Sequence, residues 1–90
     1  MDSIANMLGK RRAELGVSQE VAAVTIGTTR TSYQKWQSGA ETPTARWVEP
    51  LAEWLDIPRW KVLGGIGLLG DDELRILSDA LGGYLVPLAA

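Results

Sequence analysis

Apolar residues recur along this chain at helical spacing. Ile4, Leu8 and Leu15 fall at i, i+4 and i+11 and predict a first helix over residues 3–15, closed by Gly16. Ser18 is placed to cap a second helix from Gln19 to Thr25, which turns Ala22, Ala23 and Ile26 inward. A third helix is expected from about Thr29 to Ser38, with Tyr33 and Trp36 on its buried side. Val48, Leu51, Ala52 and Leu55 then form an i, i+3, i+4, i+7 stripe, widened by Trp47 and Trp54. Pro50 would cost roughly 3 kcal/mol inside that helix. Regular helix is therefore expected to begin near Val48 or Glu49, which puts Pro50 in the first turn, after a looser lead-in over residues 45–48. Pro58 opens a short helix, Arg59 to Leu63, expected to carry Trp60 and Leu63 toward the core. Residues 64–70, GGIGLLG, read as a flexible apolar connector. Asp71 or Asp72 can cap a final helix over residues 71–81, with Leu74, Leu77 and Leu81 as its stripe and Ile76 and Leu85 beside it.

The stretch from Gln19 to Ser38 holds the most specific spacing, and it reads as a helix-turn-helix. Ala23 provides a small residue where two helices cross. Four residues on, Gly27 can take the positive φ of a tight turn. At about 100° per residue, Thr29, Tyr33, Trp36 and Gln37 share one arc of the third helix. Thr31, Gln34, Lys35 and Ser38 share the opposite arc, with Arg30 at its edge. Residues 28–40 contain no acid, and these polar and cationic side chains suit phosphates and the base edges of a major groove. Val21 and Val24 face outward, either as isolated surface residues or as part of a partner surface.

Charge and composition narrow the chemistry. The chain of 90 residues carries a net charge of −2, but residues 1–62 hold eight cations against seven acids, while residues 63–90 hold one cation against four. An acidic tail masks a mildly basic front. Cations at Lys10, Arg11 and Arg12 form either a solvated face near a helix C-terminus or phosphate contacts. With no Cys and no His, disulfides, thiolate nucleophiles and His-based catalysis are excluded, and no metal ligand set is evident. No catalytic constellation or cofactor motif stands out, so an enzyme is not expected. The N-terminus lacks the order of a signal peptide, and the longest nearly apolar run, residues 62–70, is too short to span a bilayer. A soluble, cytoplasmic protein associated with the nucleoid is expected, with no membrane partner.

Residues 4–63 resemble the helix-turn-helix domain of the Cro and cI-type phage repressors and the related XRE-like bacterial regulators. The segments that carry the likeness are LGVSQEVAAVTIGTTRTSYQKWQSG and TPTARWVEPLAEWLDIP. They match the family pattern of Ser18-Gln19, then Ala23, Gly27, apolar residues at 33 and 36, and a closing Gly39. The resemblance implies an all-α fold with a compact five-helix lambda-repressor-like domain over residues 1–63, to which the spacing adds a connector over 64–70 and a C-terminal helix and tail over 71–90. It implies that Arg30, Thr31, Gln34 and Lys35 reach base edges. It also implies phosphate contacts from Gln19 and from Ser38, and Thr29, Lys10, Arg11 and Arg46 are further candidates for the backbone. Three departures stand out: Gln37 replaces the family's usual Glu partner for Arg12, Tyr33 and Trp36 are larger than usual opposite the small Ala22 and Thr25, and Glu41 sits in a loop that is often basic.

The expected function is a sequence-specific regulator, most simply a repressor, that binds double-stranded DNA as a homodimer on a near-palindromic operator with half-sites about 34 Å apart. Leu74, Leu77, Leu81 and Leu85 are the candidate dimerisation residues. The same helix could instead pack on Trp54 and Trp60 of its own chain. An antitoxin or adaptor, using the fold and the C-terminal helix mainly to bind a protein partner, is the alternative.

Overall fold

The computed structural model describes residues 2–70 and Ile76, and among these it is all-helical, with no strand. Helix α1 spans Ile4–Leu15, α2 Gln19–Ile26, α3 Arg30–Ser38, α4 Val48–Leu55 and α5 Arg59–Gly65; a single 3-10 turn, Ala45–Trp47, leads into α4. Three helices begin on a hydroxyl cap. Ser3, Ser18 and Thr29 accept hydrogen bonds from the amides of Asn6, Val21 and Ser32, each satisfying one donor that the first helical turn leaves open.

Helix ends follow an equally regular rule. At Gly27 (φ 96°) the backbone turns left-handed, its amide donates to the Ala23 and Val24 carbonyls, and the Thr28 amide reaches Ala23 O at 2.9 Å. Two residues then suffice to bring the chain from α2 to the Thr29 cap of α3. Asp56, which ends α4 at φ 57°, is the one residue other than glycine with positive φ among the described residues. Pro50 is the third residue of α4, where its missing N–H leaves no intrahelical bond unmade.

The core forms where α3 packs between α1 and α2 and where α4 packs on α5. Ile4 and Leu8 of α1, Ala22, Ala23 and Ile26 of α2, and Tyr33 and Trp36 of α3 are all buried. Val48, Leu51, Ala52, Trp54 and Leu55 bring the whole apolar stripe of α4 into the same cluster. The aromatic rings meet edge to face: Tyr33 with Trp54 at 6.2 Å between centroids, and Trp36 with Trp47 at 5.2 Å. Small alanines on α2 let α3 approach closely, and the large rings fill the space.

Several expectations need correction. Leu15 is exposed rather than part of the α1 stripe, because it is the last residue of the helix and reaches past the core. Thr25 is also exposed and donates its hydroxyl to Val21 O at 2.8 Å, so it does not stand opposite the α3 rings. Thr29 lies outside α3 as its cap. In α5 it is Val62 that is fully buried, while Trp60 and Leu63 are half-buried. Helix α5 also runs on through Gly64 and Gly65, and Ile66 joins the core, so the expected connector begins as part of the domain. A Cβ at Gly65 would stand 2.9 Å from Met7 Cε, the movable end of that side chain, and 3.4 Å from the Ile4 amide nitrogen, so α5 ends close to the start of α1. Ile76 is helical and exposed; the leucines at 74, 77, 81 and 85 lie outside the described residues.

Candidate nucleic-acid interface

Helix α3 divides cleanly by side. Tyr33 and Trp36 are buried, while Arg30, Thr31, Gln34, Lys35 and Ser38 are all exposed. Nine residues give about 13 Å of helix, comparable with the roughly 12 Å width of a B-DNA major groove. The exposed row starts at the helix N-terminus with Arg30, which has no ion-pair partner among the described residues.

Polar ties hold this helix against its neighbours. Tyr33 donates its phenol to Leu8 O at 3.2 Å, anchoring the middle of α3 on α1. Burial pushes the Tyr33 phenol above its ordinary value, and the nearby Arg12 guanidinium pulls the other way without reversing the shift. Arg12 also donates to Gln37 Oε1 at 3.2 Å and to Val17 O at 3.2 Å. The amide of Gln37 thus accepts from the arginine where the family pattern would place a carboxylate. On the outer side, Gln34 donates to Gln19 Oε1 at 3.0 Å and joins the α3 row to the start of α2.

Arg12, Ser18, Gln19, Glu20 and Arg30 line one shallow concavity, so the start of α2 and the start of α3 form a single surface. The hydroxyls expected to meet phosphate have local partners. Thr29 accepts from the Ser32 amide and donates to Ser32 Oγ, while Ser38 donates to Lys35 O and accepts from the Ala40 amide. Lys35 pairs with Glu41 at 3.3 Å, both well exposed, across a turn closed by the Glu41 amide on Lys35 O. Three cations, Arg12, Arg30 and Lys35, are therefore set against two acids, Glu20 and Glu41, which makes the surface polar and only weakly basic.

Other candidates lie elsewhere. Arg46 stacks on Trp47, 4.9 Å from the ring centroid, in the turn before α4. Lys10 pairs with Asp2 at 3.0 Å, holding that carboxyl below its ordinary value, and Arg11 donates to Trp54 O at 2.9 Å and meets Glu14 at 3.4 Å. Both line a different groove, with Leu55, Ile57 and Lys61. Of the three α1 cations left open between a solvated face and phosphate contact, Arg12 alone lines the concavity beside α2 and α3. No group of His, Cys, Asp or Glu with metal-binding geometry occurs among the described residues, and no helix there is long and apolar enough to cross a membrane.

Comparison with protein-family models, curated proteins and solved structures gives no match to this chain.

Proposed function

We propose that this protein is a sequence-specific DNA-binding regulator of helix-turn-helix type, in which α2 and α3 form the motif and α3 enters the major groove. The observation that carries this reading is the outer row of α3: exposed, free of acid on the helix itself, and tied through Gln34 to Gln19 at the start of α2. Arg30, Thr31, Gln34 and Lys35 have the donors, acceptors and methyl group that read base edges. Gln19 and the α2 amides face the adjoining backbone, and Arg46 supplies a further cation from the turn before α4. A repressor acting by occupancy of a near-palindromic site, one copy to each half, is the simplest regulator of this design.

Duplexes selected from random DNA provide the test, with binding followed by fluorescence anisotropy. Arg30→Ala and Gln34→Ala should each weaken binding by about 1–3 kcal/mol, or roughly 5- to 150-fold, with an unchanged circular-dichroism spectrum. About three cations per copy meet DNA in this reading. The logarithm of affinity should thus fall with the logarithm of salt at a shallow slope, near −3 per copy. Wild-type affinity in both variants, or no enrichment of any duplex, refutes the proposal.

A second reading follows from the other side of α2. Val24 is 73% exposed and Val21 49%, beside the exposed Leu15, and these suit a protein partner of the kind an antitoxin or adaptor would hold. Val24→Glu should then abolish the partner complex and leave DNA affinity unchanged.

A further inference from the structure

A second concavity, of about 310 Å³, opens between α1 and the bend that joins α4 to α5. Its floor is apolar, made by Met7, Leu55 and Ile57, and its rim is cationic, with Lys10, Arg11 and Lys61. Asp2 and Glu14 also stand on the rim, each paired with one of the first two cations. Lys61 lies over the Trp60 ring at 5.7 Å and has no carboxylate partner among the described residues. An apolar floor with an uncompensated cation beside it fits an amphipathic segment that carries acids next to an apolar stripe.

We propose that residues 71–81 of the same chain are that segment, docking as a short helix with Leu74, Leu77 and Leu81 on Met7, Leu55 and Ile57 and with Asp71, Asp72 and Glu73 toward Lys61. Two observations favour this occupant, and a third agrees with it. The chain leaves the domain beside the groove, because Gly65 lies next to the Met7 side chain, whose methyl a Cβ there would meet at 2.9 Å, and Ile66 is buried, so residue 71 begins within about 20 Å of Met7. The charges are complementary: residues 63–90 carry four acids and one cation, and three of the acids are consecutive at 71–73. Ile76 is helical and 65% exposed; on a helix it faces away from positions 74, 77 and 81, as it must when the leucines are covered. Lys10 and Arg11 then serve the tail and the α1–α4 contact rather than DNA.

The chain has no cysteine, so Asp79→Cys accepts a single nitroxide on the side of the helix away from the leucines. In the full-length chain, the methyl resonances of Met7, Leu55 and Ile57 should broaden several-fold more than that of Thr31 on the α3 face. Leu74→Ser with Leu77→Ser should remove the effect, and Lys61→Glu should reduce it. Isotope-labelled chains without nitroxide, mixed with unlabelled nitroxide-bearing chains, should show no broadening. Absence of broadening at the groove, its persistence in the leucine variant, its appearance at Val21 and Val24 instead, or equal broadening in the mixture each overturns the proposal; the last would place a second copy in the groove.

Discussion

The two halves of the core are held by different means. Between α1, α2 and α3, apolar packing is supplemented by directional ties over long sequence separations: Tyr33 to Leu8 O, Arg12 to Gln37 and Gln34 to Gln19. Between α4 and α5 the contact is made by Val48, Leu51, Ala52, Leu55 and Val62, and the nearest polar link is an exposed pair at 4.0 Å between Arg59 and Glu49. Apolar contact is nearly indifferent to small rotations, whereas a hydrogen bond weakens steeply with angle. The directional ties thus gather on α3, where orientation matters for what the outer side presents; the one that reaches α4, from Arg11 to Trp54 O, comes from α1, and the α4–α5 contact itself has none. The half without them completes the core and leaves an apolar groove at its edge.

The largest effect that would sharpen this contrast is Tyr33→Ala. It removes a fully buried ring, its edge-to-face contact with Trp54 and the tie to Leu8. The expected loss is about 3–5 kcal/mol, enough to leave much of the chain unfolded at 25 °C. Leu51→Ala, equally buried but without polar partners, is expected at about 2–4 kcal/mol. Urea titration measures both. A greater cost for Leu51→Ala would break the comparison, since the apolar half would then dominate stability.

Next comes the arginine that binds α1 to α3. Arg12→Ala leaves Gln37 Oε1 and Val17 O without this donor, and because the site is only half-buried the cost is expected near 1–2 kcal/mol. Gln37→Glu converts the same contact to a charged pair and should recover or exceed wild-type stability by up to about 1 kcal/mol. If Gln37→Glu stabilises while DNA affinity drops, the added charge rather than a loss of orientation is the cause, and raising the salt concentration should narrow the difference.

These ties also mark the limit of what the sequence reveals. Helix boundaries were legible to within a residue or two for α1 to α3, because hydroxyl caps and left-handed glycines bracket each of them, and for α4 from its apolar stripe and Pro50 alone. Tyr33 and Trp36 were legible from helical spacing. Helix α5 was not, since seven residues are too few to define a face, and Val62 rather than Trp60 proves to be the buried residue. Its extension through Gly64 and Gly65 runs against helix propensity, so no local signal announces it. The exposed row of α3 was legible as a face. The Arg12–Gln37 contact was visible only through the family resemblance, and the reach of Arg11 to Trp54 O and of Lys35 to Glu41 was not visible at all, because those partners lie 43 and 6 residues away and follow no period.

A smaller, pH-dependent effect tests the Tyr33 tie alone. Burial raises the phenol above its ordinary value, so below about pH 10 it is protonated in both folded and unfolded chains and its stabilising contribution is complete. As the pH rises beyond that value, the unfolded chain ionises first, and stability falls until the folded phenol ionises as well. Tyr33→Phe should be less stable by about 1 kcal/mol at neutral pH, where it lacks the bond to Leu8 O. Its stability should nevertheless decline less steeply above pH 10, so that the two proteins converge. Parallel curves would show that the phenol is not the group at work.

The smallest effect belongs to the apolar half. Asp56 holds φ 57° at the end of α4, where its amide reaches Glu53 O and the next amide, that of Ile57, reaches Ala52 O at 3.1 Å. These bonds come from the backbone, so any residue able to adopt the conformation can make them. Aspartate does so against the clash between Cβ and the following carbonyl, and glycine does so freely. Asp56→Gly should therefore stabilise the fold, by up to about 1 kcal/mol, offset in part by the greater freedom glycine has when unfolded. If α4 and α5 are held by apolar contact alone, the gain should appear in full in thermal melts and leave DNA affinity untouched. A change in DNA affinity would mean that the angle between α4 and the first three helices reaches the α3 face, and that the two halves of the core are coupled.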